Sequence, residues 1–133
     1  MRHANLKRLT LPQLLGRFVE IALAQDEARL YLDVKKANML YAKMEEIDDE
    51  LRARGREARL ALLTLYEHRN MQVRLKAAVN TLGVAPDRAR FALEEIRASR
   101  TPQALDAGSS LRNLDRGVFK SIWLTLQLRN TEL

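Results

Sequence analysis

The sequence predicts an all-α protein of six or seven helices arranged as antiparallel hairpins, and three observations carry that reading. Apolar residues recur with a helical period along most of the chain, and period-two alternation is confined to one C-terminal run. Only five glycines and three prolines punctuate 133 residues, and they fall at expected helix ends or where helices should touch. A repeat also emerges at a shift of 31 residues. Ala58, Leu60, Ala61, Leu62 and Leu65 map onto Ala89, Phe91, Ala92, Leu93 and Ile96, and Asn70-Met71-Gln72-Val73 maps onto Thr101-Pro102-Gln103-Ala104. Beyond that cap the register slips by one, so that Leu75 and Ala77 align with Leu105 and Ala107.

Residues 1–9 are expected to form a frayed arm. Thr10-Leu11-Pro12-Gln13 then makes a Thr-x-x-Gln capping box, and Leu11, Leu14, Leu15, Phe18, Ile21 and Ala22 carry a helix to about Tyr31. Asp33 can accept from the orphan amides of a second helix, with the stripe Val34, Ala37, Tyr41, Met44, Ile47 and Leu51 and an end at Gly55. A third runs from about Arg56 to Glu67. Asn70 caps a fourth, which stops at Gly83, while Pro86 suits the first turn of a fifth that reaches about Ser99. Thr101 and Pro102 open a sixth, and Gly117 closes it by taking the left-handed conformation that side chains disfavour. The whole chain reads as one domain over 1–133, with two repeat units in 57–115 and a terminal segment over 118–133 covering the last of them. In that segment Phe119, Ile122, Trp123 and Leu126 suit a helix, while Ile122, Leu124, Leu126 and Leu128 alternate.

The run "NMQVRLKAAVNTLG", residues 70–83, sets two basic side chains among apolar ones. At about 100° per residue, Leu75, Ala78, Val79 and Leu82 share one face while Val73 and Ala77 make a second, with Arg74 and Thr81 wedged between. A helix apolar on two sides packs between neighbours. Arg74 is therefore expected to serve the fold, its guanidinium meeting a carboxylate or the carbonyl end of another helix. Gln72, Lys76 and Asn80 are left as a polar stripe, continued one unit later by Gln103, Asp106, Ser110 and Asn113.

Asn70-x-x-Val73-Arg74-x-x-Ala77-Ala78-x-x-x-Leu82-Gly83 resembles the second-helix signature of HEAT-type repeats. Together with "RFVEIALAQDEA", "PQALDAG" and "LDRGVFK", it is also similar to a bacterial family of domains of unknown function, number twenty-nineteen, over roughly Leu14 to Lys120. The resemblance implies a short HEAT-like stack in which the Arg74 position ties layers together. It implies no activity.

A net charge of +6 and a pI near 10.1 allow attraction to polyanions, but the charges alternate. The basic excess lies in Arg2, Lys7 and Arg8 and in Arg56, Arg59, Arg69, Arg74 and Lys76. Absence of cysteine excludes disulfides and thiol chemistry and suits a reducing compartment, and no signal or membrane-length apolar run is visible; a soluble cytoplasmic protein is expected. His3 falls in the arm and His68 at a helix end, without a nucleophile or Gly-rich loop for company. Glu45, Glu46, Asp48, Asp49 and Glu50 are read as a solvated face offset by Lys43, Arg52 and Arg54, and Tyr31, Tyr41 and Tyr66 as core or rim residues. No catalytic residue, metal ligand or cofactor is expected. The favoured function is non-catalytic binding of an unidentified protein through the stripe Gln72, Lys76, Asn80, Gln103, Asp106, Ser110 and Asn113, without membrane involvement. The alternative is nucleic-acid backbone binding through Arg56, Arg59, Arg69 and the N-terminal arm.

Overall fold

The computed structural model describes residues 2–117, with side chains from Asn5 onward. Among these residues it is all-helical: α1 (Arg2–Lys7), α2 (Leu11–Leu30), α3 (Val34–Ala53), α4 (Arg56–Leu60), a 3-10 helix (Ala61–Leu65), α5 (Met71–Val79), α6 (Pro86–Ala98) and α7 (Gln103–Asp115). The expected caps form. Thr10 Oγ1 accepts from the Gln13 amide at 3.3 Å while Gln13 Oε1 accepts from the Thr10 amide at 2.9 Å, so two orphan donors are satisfied reciprocally. Asn70 Oδ1 accepts from the amides of Gln72 and Val73 at 2.9 and 3.1 Å. Gly117, at φ +85°, closes α7.

Three expectations are corrected. The N-terminal arm is helical instead of frayed over Arg2–Lys7, because Leu6 is buried in the core and its carbonyl accepts from Arg54 Nη2 at 2.8 Å. Arg54 is itself held by Glu50, at 2.8 Å. The third expected helix tightens to 3-10 geometry after Leu60, where Thr64 Oγ1 donates to the Ala61 carbonyl at 2.8 Å and competes with the helical ladder. In the second, Val34 and Tyr41 are exposed, and Leu40 joins Met44, Ile47 and Leu51 inside.

Successive helices pack as hairpins around two apolar cores that share α5. One face of α5, Val73 and Ala77, completes a core built from Leu14, Phe18, Met44, Ile47, Leu51 and Leu62. The other, Leu75, Ala78 and Leu82, completes a core with Leu93, Ile96, Ala107 and Leu111. The two-faced wheel of residues 70–83 is thus a helix gripped from both sides. Tyr66 and Thr81 bridge at the seam: Thr81 Oγ1 donates to the Ala77 carbonyl at 2.8 Å, which leaves its lone pair to accept the Tyr66 hydroxyl. The terminal segment 118–133 lies outside the described residues.

Candidate functional site

The seven stripe residues do not form one solvent surface. Gln72 and Gln103 are buried. Related by the 31-residue shift, they stack directly: Gln103 Nε2 donates to Gln72 Oε1 at 3.1 Å and to Asp26 Oδ1 at 3.0 Å, and Gln72 Nε2 donates to Gln25 Oε1 at 3.2 Å. Asn70 Nδ2 adds a bond to Asp26 Oδ2 at 3.2 Å, and Arg29 a salt bridge to Oδ1 at 2.8 Å. The result is a polar ladder tying the C-terminal half of α2 to the N-terminal ends of α5 and α7. Burial alone would push the Asp26 carboxyl up, but the hydrogen bonds from Arg29, Asn70 and Gln103 together outweigh it and hold it below the usual carboxylate range. Gln25 and Asp26 were not among the expected site residues.

The rest of the stripe is mixed. Asp106 and Asn113 are exposed, whereas Lys76, Asn80 and Ser110 are half-buried. The Asn80 carbonyl accepts from Arg59 Nη2 at 3.4 Å. Burial pushes the Lys76 ammonium below the ordinary lysine value, and the charge of Asp106 pulls it partly back. Lys76 is therefore not the free solvent cation expected. A cation with a lowered folded-state pKa weakens the fold while it is protonated, and the penalty fades as pH rises through that pKa toward the unfolded value. Lys76→Met is expected to raise stability at pH 7 by up to about 1 kcal/mol, since an apolar side chain replaces a desolvated charge. In denaturant melts the gain should shrink toward about pH 10, near the free lysine pKa.

Arg74 takes the structural place expected of it. Its Nε donates to the carbonyl of His68, at the end of the turn before α5. His68 Nδ1 accepts the Asn70 amide at 3.0 Å, so this histidine serves the turn. The acidic run is less solvated than expected at one point. Asp48 is buried, 3.0 Å from Arg52, and its burial pushes the carboxyl up against the pull of Arg52 and Arg59. Asp48 Oδ1 and Arg59 Nε have no hydrogen-bond partner. Among the described residues no group of three His, Cys, Asp or Glu is placed to hold a metal, and no helix is long and apolar enough to cross a membrane.

Apolar exposure is concentrated at the tip of the α2–α3 hairpin. Leu30, Tyr31, Leu32 and Val34 are 67%, 73%, 84% and 70% exposed, with Met39 and Tyr41 beyond them on α3. At 20 residues each, α2 and α3 are about 30 Å long, against about 14 Å for the nine-residue α5, so the hairpin overhangs its neighbours. Leu32 sits at φ +54°, a left-handed conformation that costs a leucine roughly 1–2 kcal/mol. Its exposed side chain gains nothing from the core in return. Tyr31 and Tyr41 are thus solvent-facing, and only Tyr66 is a half-buried rim residue.

With this geometry in hand, similarity to known proteins is informative. A family described as Domain of unknown function (DUF2019) matches residues 12–115, from the first turn of α2 to the end of α7. The crystal structure of the protein RPA1889 from Rhodopseudomonas palustris CGA009 is 47% identical, with a TM-score of 0.79 over 83% of this chain and 92% of that one. No curated protein matches.

Proposed function

The chain belongs to the DUF2019 family of domains of unknown function, and from that premise we propose that it is a non-catalytic, cytoplasmic protein-binding module that engages its partner through the tip of the α2–α3 hairpin. The exposed run Leu30, Tyr31, Leu32 and Val34 carries the reading. Contiguous large apolar side chains are seldom left bare, and an aromatic and two leucines rimmed by Arg29, Lys35 and Lys36 match the make-up of an interface core with a polar rim. The left-handed Leu32 adds support, because strain of this kind persists where function requires a particular presentation. The partly exposed face made by Lys76, Asn80, Asp106, Ser110 and Asn113 is polar and shallow, and suits a secondary contact.

Backbone binding to nucleic acid has less support. Arg56 Nη2 donates to the Val84 carbonyl at 3.2 Å and Arg59 is half-buried against Asn80 and Asp48, so two of the three arginines that reading needs are engaged internally. Affinity capture from the native bacterium with the full chain separates the readings. Wild type is expected to retain a protein in about 0.5 M salt, where exposed charge contacts are screened over a few ångströms. Tyr31→Glu with Leu32→Glu should release it. Leu32→Gly should also weaken capture while leaving thermal stability unchanged or higher, since glycine removes the left-handed cost. Capture that survives both tip variants, or a captured nucleic acid lost with salt, would overturn the proposal.

A further inference from the structure

A groove of about 600 Å³ runs along the outside of the molecule between the 3-10 helix and α6. Leu63, Tyr66, Phe91 and Ala92 give it an apolar floor, and Glu67, Asp87 and Glu95 an acidic rim in which Arg88 is the one cation. Phe91 is 64% exposed there, although it lies in mid-helix on the element that supplies Leu93 and Ile96 to the second core. We infer that the segment following α7, residues 118–128, folds back over the N-terminal turns of α6 and fills this groove within the same molecule.

The place where α7 ends is the first reason. The Asp115 carboxylate pairs with Arg90 Nη2 at 2.6 Å, so the chain leaves α7 beside the residue that precedes Phe91. Gly117, with its amide bonded to the Leu114 carbonyl at 3.1 Å and φ at +85°, turns the chain out of the helix direction there. Length is the second reason. Sixteen residues follow Gly117, spanning up to about 50 Å extended or about 24 Å as a helix, while crossing α6 requires roughly 10 Å. The third is complementarity. "VFKSIWLTLQL" offers Phe119, Ile122, Trp123, Leu124, Leu126 and Leu128 to the apolar floor, and its one charge, Lys120, with Arg129 just after, has the sign opposite to that of the rim. The outer side of the last hairpin is a poorer fit for this segment, since Arg90, Glu94 and Arg112 make it strongly charged around a lone exposed Leu105.

The occupied groove lies toward the C-terminal end of α7, whereas the hairpin tip of the proposed function lies toward its N-terminal end, where Gln103 meets Asp26. Either can fail without the other. Trp123 is the single tryptophan and reports directly on the full-length protein. Its emission is expected to be that of a shielded indole and to resist iodide. Phe91→Glu, at an exposed site that should not disturb folding, should shift the emission to the red and raise iodide quenching several-fold, while Leu105→Glu leaves both unchanged. As a second measurement, a nitroxide on the cysteine of Thr64→Cys should quench Trp123, and the same label on Arg29→Cys at the far tip should not; the absence of native cysteine makes both labels specific. An already exposed Trp123 in wild type, an unshifted Phe91→Glu, equal quenching from both labels, or shielding lost on dilution from dimer to monomer would each overturn the inference.

Discussion

Asp26→Ala is expected to lower stability by about 2–3 kcal/mol at pH 7, the range for losing hydrogen bonds to a charged acceptor while a buried donor is stranded. Asp26 is the one group that touches all three helices of the ladder, through Arg29 on α2, Asn70 before α5 and Gln103 on α7. The Arg29 pair is exposed and contributes little. Gln103 contributes most: its side chain is buried, one Nε2 hydrogen remains on Gln72, and the other would be left without an acceptor. The pH dependence has a definite sign. A carboxyl whose folded-state pKa lies below its unfolded value supplies stability that is fully present above about pH 5 and is lost as pH falls through the folded pKa. The gap between wild type and Asp26→Ala in urea melts should therefore be constant near neutrality and close on acidification below about pH 4. Unequal m-values would point to a change in the unfolded state instead. A gap under about 0.5 kcal/mol, the size of an ordinary surface change, would mean that the ladder does not bind the hairpins together.

That ladder also marks where reading the sequence stopped short. Helix ends were legible because a cap is a conversation between residues two or three apart, as at Thr10 with Gln13 and at Asn70 with Val73. The two-sided packing of α5 was legible because alternating apolar faces have no other use. A polar residue on a wheel, however, reads the same whether water or another polar side chain faces it. Gln72 finds Gln25 from 47 residues away and Gln103 finds Asp26 from 77, so the burial of both depends on how α2 lies across the stack. The hairpin tip failed for the converse reason. Val34 and Tyr41 fit an apolar stripe, but α3 continues past the last helix able to cover them. The left-handed Leu32 gives no sign in the sequence, because the residues favoured in that conformation are glycine and asparagine.

Arg74→Ala is expected to cost about 1–3 kcal/mol, the penalty for stranding a partly buried polar group. Its Nε donates to the His68 carbonyl, and that carbonyl sits where the backbone turns from the 3-10 segment into α5, with no helical ladder to satisfy it. The same turn is pinned by the Asn70 amide on His68 Nδ1, so one side chain holds a junction on which two cores converge. The aliphatic stem adds packing between the apolar faces of α5. Arg74→Lys separates the two contributions: it keeps most of the stem and the charge but has no nitrogen at the ε position, so it should recover only part of the loss. Arg69→Ala, at an exposed position five residues earlier, is the control and should stay within about 0.5 kcal/mol. Denaturant melts of the three variants decide the matter. If Arg74→Ala and Arg69→Ala fall together within that margin, Arg74 is a surface charge, and the basic residues of "NMQVRLKAAVNTLG" become available for a polyanion after all.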